Sequence, residues 1–247
     1  MKKTSLIAAV MVAILLHGTA SGADEIRVLS SVGIKAVVDE LAPQFEKTTK
    51  HKVTMVFGLA GALKAQIEKG EPFDVAILTP PLLDDLIAKG LVPAKSTIAR
   101  TGLGLMIKAG AHKPDVSSVD AFKKTLLAAK SITFASAGAS GVAFLATAKQ
   151  LGIADAIKTK PAASGEEVNQ NILSGASDLA VLPVSEILPV NGAALGGLFP
   201  SDVQTFIIMA AGVNPKAQGT AAKDFVAFLM SPKNNGVIKT KGMERLP

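Results

Sequence analysis

Cysteine, tryptophan and tyrosine are all absent from the 247 residues, and only three histidines occur. Without cysteine there can be no disulfide framework, no thiolate nucleophile and no cysteine for lipid attachment. His51 and His112 each lie in a polar, lysine-flanked stretch that reads as surface loop. That leaves no His/Cys cluster to hold zinc and no convincing base for a serine triad, and no Gly-x-Ser-x-Gly elbow is present. Nucleic acid is not an expected partner, because no basic cluster is interleaved with aromatic residues. The same shortage argues against a sugar-binding cleft, although ten phenylalanines remain. Neither a Gly-x4-Gly-Lys-Ser/Thr loop nor a dinucleotide fingerprint occurs, so no cofactor and no metal are expected.

Long apolar runs are also missing, with one exception near the start. Residues 1–23 carry Lys2 and Lys3, an apolar run from Leu6 to Leu16, and a small-residue tail Ser21-Gly22-Ala23. This is the pattern of a secretory signal peptide cut after Ala23. The run is shorter than the roughly 18–20 residues that a membrane span needs. The twin lysines without a twin arginine indicate Sec export, which implies a soluble protein, periplasmic or secreted and here expected in the periplasm, with no membrane insertion after cleavage. Discounting those two lysines leaves a formal charge of +4. So mild an excess reads as a solvated basic surface more readily than as a ligand signal.

What the chain does have is alternation. Ile26, Val28 and Leu29 make a short buried strand, Ser30, Ser31 and Gly33 a turn, and Val37, Val38, Leu41 and Phe45 the apolar face of a helix. Val53 to Phe57 is the next strand. The turn Gly58-Leu59-Ala60-Gly61 then leads into a helix through Leu63 and Ile67 that stops at Gly70. Each turn presents backbone N–H groups at the positive end of a helix with little side chain in the way, which suits a small anion.

Further along, a short helix closes at Gly90, and Ile98 to Ile107 is extended and apolar. Ser118 or Asp120 caps a helix. Ile132–Ala135 is a strand, followed by the turn Ser136–Gly141 and a helix to Gly152. A helix from Ser164 ends near Gly175, and Leu179–Leu182 is a strand broken by Pro183. Val203–Ala210 is the last strand and Ala222–Met230 an amphipathic helix. The fold class expected is α/β with mainly parallel sheets flanked by helices.

From Ile26 to Pro247 the chain resembles the periplasmic molybdate-binding protein family, a branch of the type II solute-binding proteins of ABC transporters. The segments that carry the likeness are IRVLSSVGIKAVVDELAPQFEK, FGLAGALKAQIEKGEPFDVAI, LLDDLIAKGLV and SPKNNGVIKTKGMERLP. The most specific block runs Phe57-Gly58, Gly61-Ala62-Leu63, Gln66-Ile67, Gly70, Pro72, Asp74; Asp74 itself reads as structural, at a sheet end. The resemblance implies a two-lobed periplasmic-binding-protein type II fold with the ligand clamped between the lobes. Lobe 1 would take residues 24–103 and 206–247, lobe 2 residues 104–205. It also implies delivery of the ligand to an ABC permease, and a monomer is expected.

Carried over residue by residue, the likeness assigns ligand contacts to Gly33, Ala60, Ser140, Val168 and Pro183, and the helix-start turns add Ser31, Gly61 and Gly141. Molybdate binders place serines where this chain has Gly33 and Ala60, and the enterobacterial branch has a tyrosine where it has Pro183. Each lost hydroxyl forfeits a charge-assisted bond of roughly 1.5–3 kcal/mol, and the smaller residues are expected to enlarge the pocket. The reading that follows is a receptor for a small organic anion, a polycarboxylate. The alternative is an aconitate isomerase on the same scaffold, since some relatives of the family handle aconitate; molybdate or tungstate binding comes third. An isomerase needs an acid–base group for an allylic proton shift. The candidates are Lys35, Glu166 and Glu167, against simpler roles as a solvated helix residue and as capping-box carboxylates beside Ser164.

Overall fold

A computed structural model describes residues 24–247; the expected signal segment, residues 1–23, lies outside them. The first half of the chain alternates as its apolar spacing requires. Strand β1 (Glu25–Ser31) enters helix α1 (Lys35–Thr49) through a single 3₁₀ turn, Val32–Ile34. Strand β2 (Lys52–Gly58) leads to α2 (Ala60–Glu68), β3 (Val75–Leu78) and α3 (Pro80–Ala88). Helix α3 opens on Pro80 and Pro81, where the missing N–H groups cost nothing because the first turn has no acceptors for them. β1 pairs in parallel with β2 and with β3.

The long strand β4 (Lys95–Lys108) then leaves this group for the next. Beyond it come α4 (Val119–Ala128), β5 (Ile132–Ala135), α5 (Ala139–Gln150), β6 (Thr159–Ala162), α6 (Gly165–Leu173), β7 (Leu179–Pro183), the single-turn α7 (Val184–Ile187) and β8 (Ala193–Leu198). The chain returns through β9 (Phe206–Val213) and finishes with α8 (Ala221–Met230) and α9 (Asn235–Thr240). Among the described residues the strand order is β2-β1-β3-β9-β4-β7-β5-β6, with β8 on the free side of β4.

This is a mixed α/β sheet, curled and flanked by helices. Parallel pairing holds at its two ends, β2-β1-β3 and β7-β5-β6, where βα crossovers connect the strands. The middle is antiparallel: β9 pairs with β3 and β4, and β4 pairs with β7 and β8. The N-terminal part of β4, Lys95–Gly102, lies on β9, and its C-terminal part, Leu103–Lys108, on β7 and β8. One strand therefore serves both ends of the sheet.

Burial follows the predicted faces. Val37, Val38, Leu41 and Phe45 of α1 are buried, and Phe45 packs edge-on against Phe225 at 5.1 Å. Phe122, Phe134 and Phe144 do the same service at the other end. Each such ring contributes about 1.5–3 kcal/mol by leaving water. Ser118 caps α4, its Oγ accepting from the Ala121 N–H at 3.1 Å.

Several local expectations change. The last strand begins at Phe206, because Ser201–Val203 is a 3₁₀ turn. Strands β6 and β8 and helices α7 and α9 were not legible: β6 reads Thr-Lys-Pro-Ala and β8 Ala-Ala-Leu-Gly-Gly-Leu, without alternation. His51 is no surface residue. It is 8% exposed, its Nδ1 accepts from the Asp24 N–H at 3.1 Å, and its ring stacks on Phe45. Its lysine neighbours point outward while β2 begins beside it, so local polarity misled. Asp74 is structural as expected, its Oδ2 accepting from the Arg27 N–H at 2.7 Å.

Candidate functional site

Strand ends meet helix starts along one edge of the sheet, as parallel βα units dictate. There Ser31, Val32, Leu59, Ala60, Ala135, Gly138, Ala139, Ser140, Gly165, Pro183, Glu186, Ile207 and Met209 enclose a cavity of about 30 Å³. Residues of the first sheet end and of β9 form one wall, and those of the β5–β7 end form the other. Helices α2 and α5 begin here on Leu59 and Gly138, and neither start carries a side-chain cap. Their first N–H groups are therefore open to a ligand, at the positive ends of two helix dipoles. The α6 start differs: Ser164 accepts from the Glu167 N–H at 3.2 Å, and Glu167 in turn accepts from the Ala163 N–H at 2.8 Å.

Of the residues expected to touch a ligand, the cavity gathers Ser31, Ala60, Ser140 and Pro183. Ser140 is 5% exposed and Ser31 6%, and both line this space although Gly33 and Ala60 carry no hydroxyl; the Ser31 Oγ accepts from the Gly33 N–H at 3.4 Å. Gly61 lies one residue behind the lining, with nothing near where a side chain would begin. Gly141 has a packing role: a Cβ there would run into the Ala135 carbonyl and the Phe134 ring. Val168 is fully buried in the core under β5 and β7, and its N–H is spent on the Ser164 carbonyl.

Gly33 does not enlarge the pocket as expected. The methyl end of Met209, on β9, sits 2.5 Å from where a Cβ would stand, and the Gly33 carbonyl accepts from the Ser185 hydroxyl at 2.7 Å. Tertiary packing has filled the space the glycine vacated. The candidate acid–base residues also stand away from the cavity lining. Lys35 Nζ pairs with Asp39 Oδ2 at 2.5 Å and lies 4.4 Å from the Phe57 ring centre. Glu166 is exposed, and Glu167 accepts from the N–H of Ala163, one residue before the Ser164 cap.

The ionisable residue that does line the cavity is Glu186, the second-last residue of α7. Its carboxylate oxygens approach Gly33 and Gly165: they lie 3.6 and 3.4 Å from where Cβ atoms would be. No hydrogen bond or ion pair reaches that carboxylate among the described residues. Burial pushes its pKa from the usual carboxylate value up to about 7. A signal for it existed. Leu179–Val190 is apolar apart from Ser185 and Glu186, and a lone carboxylate inside so apolar a run is costly unless it has a task.

A second, larger hollow of about 470 Å³ opens beside the crossing strands β4 and β9, between Arg100, Gln204, Phe206 and Glu244. Its polar side chains are engaged with one another. Arg100 Nε donates to Glu244 Oε1 at 2.7 Å and its guanidinium covers the Phe206 ring, while Gln204 bonds the backbone of Leu103 and Phe199.

A family model described as bacterial extracellular solute-binding protein matches residues 26–244. The chain is 30% identical over 231 residues to an aconitate isomerase from Pseudomonas sp., a match covering 89% of this chain and 87% of the relative. It is 29% identical over 238 residues to the molybdate-binding protein ModA of Azotobacter vinelandii, covering 92% of each. The solved periplasmic molybdate-binding protein of Azotobacter vinelandii superposes with a TM-score of 0.76 at 23% identity, over 90% of this chain and 99% of that one.

Proposed function

Because the chain belongs to the bacterial extracellular solute-binding protein family, we propose that it captures a small organic anion, a polycarboxylate, between the two walls of this cavity. The observation that carries the reading is the pair of uncapped helix starts, at Leu59–Ala60 and Gly138–Ala139, which line one enclosed space together with Ser31 and Ser140. Such an array favours negative charge without a lysine or arginine. A volume of about 30 Å³ holds little more than water, so a tricarboxylate requires the walls to part. The lobes proposed for this motion are residues 24–103 with 206–247, and 104–205; β4 and β9 would be the strands that bend. The protein would act in the periplasm after signal cleavage, hand its ligand to an ABC permease and work as a monomer. Calorimetric titration with citrate, the aconitate isomers, sulfate, molybdate and tungstate tests this: a polycarboxylate should bind most tightly. Tight binding of molybdate alone would overturn it.

A second reading, aconitate isomerisation, is favoured by Glu186 and by the similarity to the Pseudomonas enzyme. Ionised Glu186 would take a proton from the substrate methylene, and that C–H electron pair would become the new double bond. The old π pair would take a proton back from the same carboxyl at the former vinyl carbon, which balances without cofactor or metal. Turnover of trans- to cis-aconitate, lost in Glu186→Gln with binding kept, would support it. A bound aconitate that stays unchanged for hours would leave the receptor alone.

A further inference from the structure

Within the receptor reading of the cavity, and in place of the isomerase one, the geometry points to a proton-coupled site: we infer that Glu186 takes up a proton as the anion enters and meets it as a neutral, hydrogen-bond-donating acid. Three observations carry this. The carboxylate faces the same enclosed space as the uncapped starts of α2 and α5, so any anion held by those N–H groups lies beside it. It has no hydrogen-bond or ionic partner among the described residues, which leaves both oxygens available to a ligand. And among the described residues no cation lines the cavity to hold two negative charges together. Two carboxylates at such short range in a water-poor site repel strongly, whereas one proton between them turns the contact into a charge-assisted hydrogen bond.

Among the described residues, the surroundings of Glu186 leave no other group to absorb the charge. Helix α7 packs on α1, β4, β7, β8 and the 3₁₀ turn at Val32–Ile34. On α1, Lys35 is paired with Asp39 and Glu40 with Lys241, while Glu46 accepts from the Val53 N–H and Lys47 lies in the last turn. On β4, Lys95 is paired with Asp84, Arg100 with Glu244, and Lys108 is exposed. Strands β7 and β8 and the 3₁₀ turn contain no ionisable residue, and α7 itself has only Glu186. Across the cavity at the α6 start, Glu166 is exposed and Glu167 is bonded to Ala163. Burial alone accounts for the raised pKa of Glu186, so its titration is free to respond to whatever enters the cavity.

The sign follows from linkage. Below about pH 5 Glu186 is already protonated, and binding exchanges no proton through it. Above pH 7 the free protein is ionised there, so binding must draw in a proton, and affinity falls by roughly tenfold per pH unit until the complex itself ionises. Glu186→Gln mimics the neutral acid and should remove this dependence. Whatever titration belongs to the ligand remains in both proteins and cancels in the comparison.

The test is isothermal calorimetry of wild type and Glu186→Gln with trans-aconitate, citrate, sulfate and molybdate, from pH 5 to pH 9, in buffer pairs of different ionisation enthalpy. Circular dichroism checks that the variant is folded, and Glu186→Asp is a second variant that keeps an ionisable group. The expected result at pH 8 is uptake of close to one proton by wild type and none beyond the ligand's own by Glu186→Gln, with Glu186→Gln binding about tenfold more tightly. A carboxylate that binds wild type with the same proton count and pH profile as Glu186→Gln overturns the proposal and leaves the polycarboxylate reading standing. Proton-coupled binding of sulfate or molybdate alone keeps the proposal and overturns that reading. If nothing in the panel binds either protein at any pH, both fall.

Discussion

The two hollows of this molecule differ in size and, more tellingly, in how their polar groups are occupied. The larger one beside the crossing strands, about 470 Å³, is lined by groups that already hold each other: Arg100 with Glu244 and Phe206, Gln204 with the backbone, and Thr101 between the Gly242 carbonyl and the Ser185 N–H. The smaller one, about 30 Å³, gathers open helix starts, two buried serines and an unpaired carboxyl. Unsatisfied polarity in an enclosed space costs free energy and persists where a ligand will supply the missing partner. Volume is the poorer guide, because a surface groove between satisfied side chains asks for nothing.

That contrast can be broken by substitution. The largest effect is expected from Gly141→Val, where a side chain would collide with the Ala135 carbonyl inside the α5–β5 contact. Strain of this kind in a packed core costs about 3 kcal/mol or more, so chemical denaturation should show an early midpoint. Gly61→Val, with open space around it, should fold normally.

Glu186→Gln comes next. The carboxyl is raised in the folded state, so its neutral form is favoured by folding; wild type loses stability as pH rises from about 4.5 through 7, and glutamine does not. At pH 8 the variant should be more stable by about 3 kcal/mol, and the gain should disappear below pH 4.5. Urea unfolding at the two pH values measures it, and equal stabilities at pH 8 would mean the carboxyl is solvated after all.

Smaller again is Ser140→Ala, which removes a buried hydroxyl from the cavity wall; the loss of one bond to an anion predicts about 1.5–3 kcal/mol of binding free energy. Arg100→Met in the larger hollow should change affinity for the same ligand by less than about twofold and stability by under about 1 kcal/mol. A ligand lost with Arg100→Met and kept with Ser140→Ala would exchange the roles of the two hollows.

Much of this architecture was legible in the residues. The βα units from Ile26 to Leu78 were readable because apolar period and turn chemistry agree there. The ends of β9, the existence of β6 and β8, and the burial of His51 were not, because they depend on neighbours far away in sequence. At the site, Ser31, Ala60, Ser140 and Pro183 could be anticipated from the helix-start turns and the family likeness. Lys35, Glu166 and Glu167 were candidates only by sequence proximity to those turns, and each has a local partner or faces solvent.

By itself, the sequence determined that this protein alternates strand and helix, opens its helices on small residues, and has neither thiol nor histidine cluster to do chemistry. Local spacing suffices for such statements, since helix, strand and turn preferences act within a few residues. Tertiary structure alone decided that Met209 fills the space beside Gly33, that α7 delivers Glu186 to the cavity while Lys35 turns away, and that burial holds that carboxyl near neutrality. Those outcomes depend on which surfaces meet across the crossing strands, and desolvation is a property of the assembled neighbourhood, which no single segment encodes.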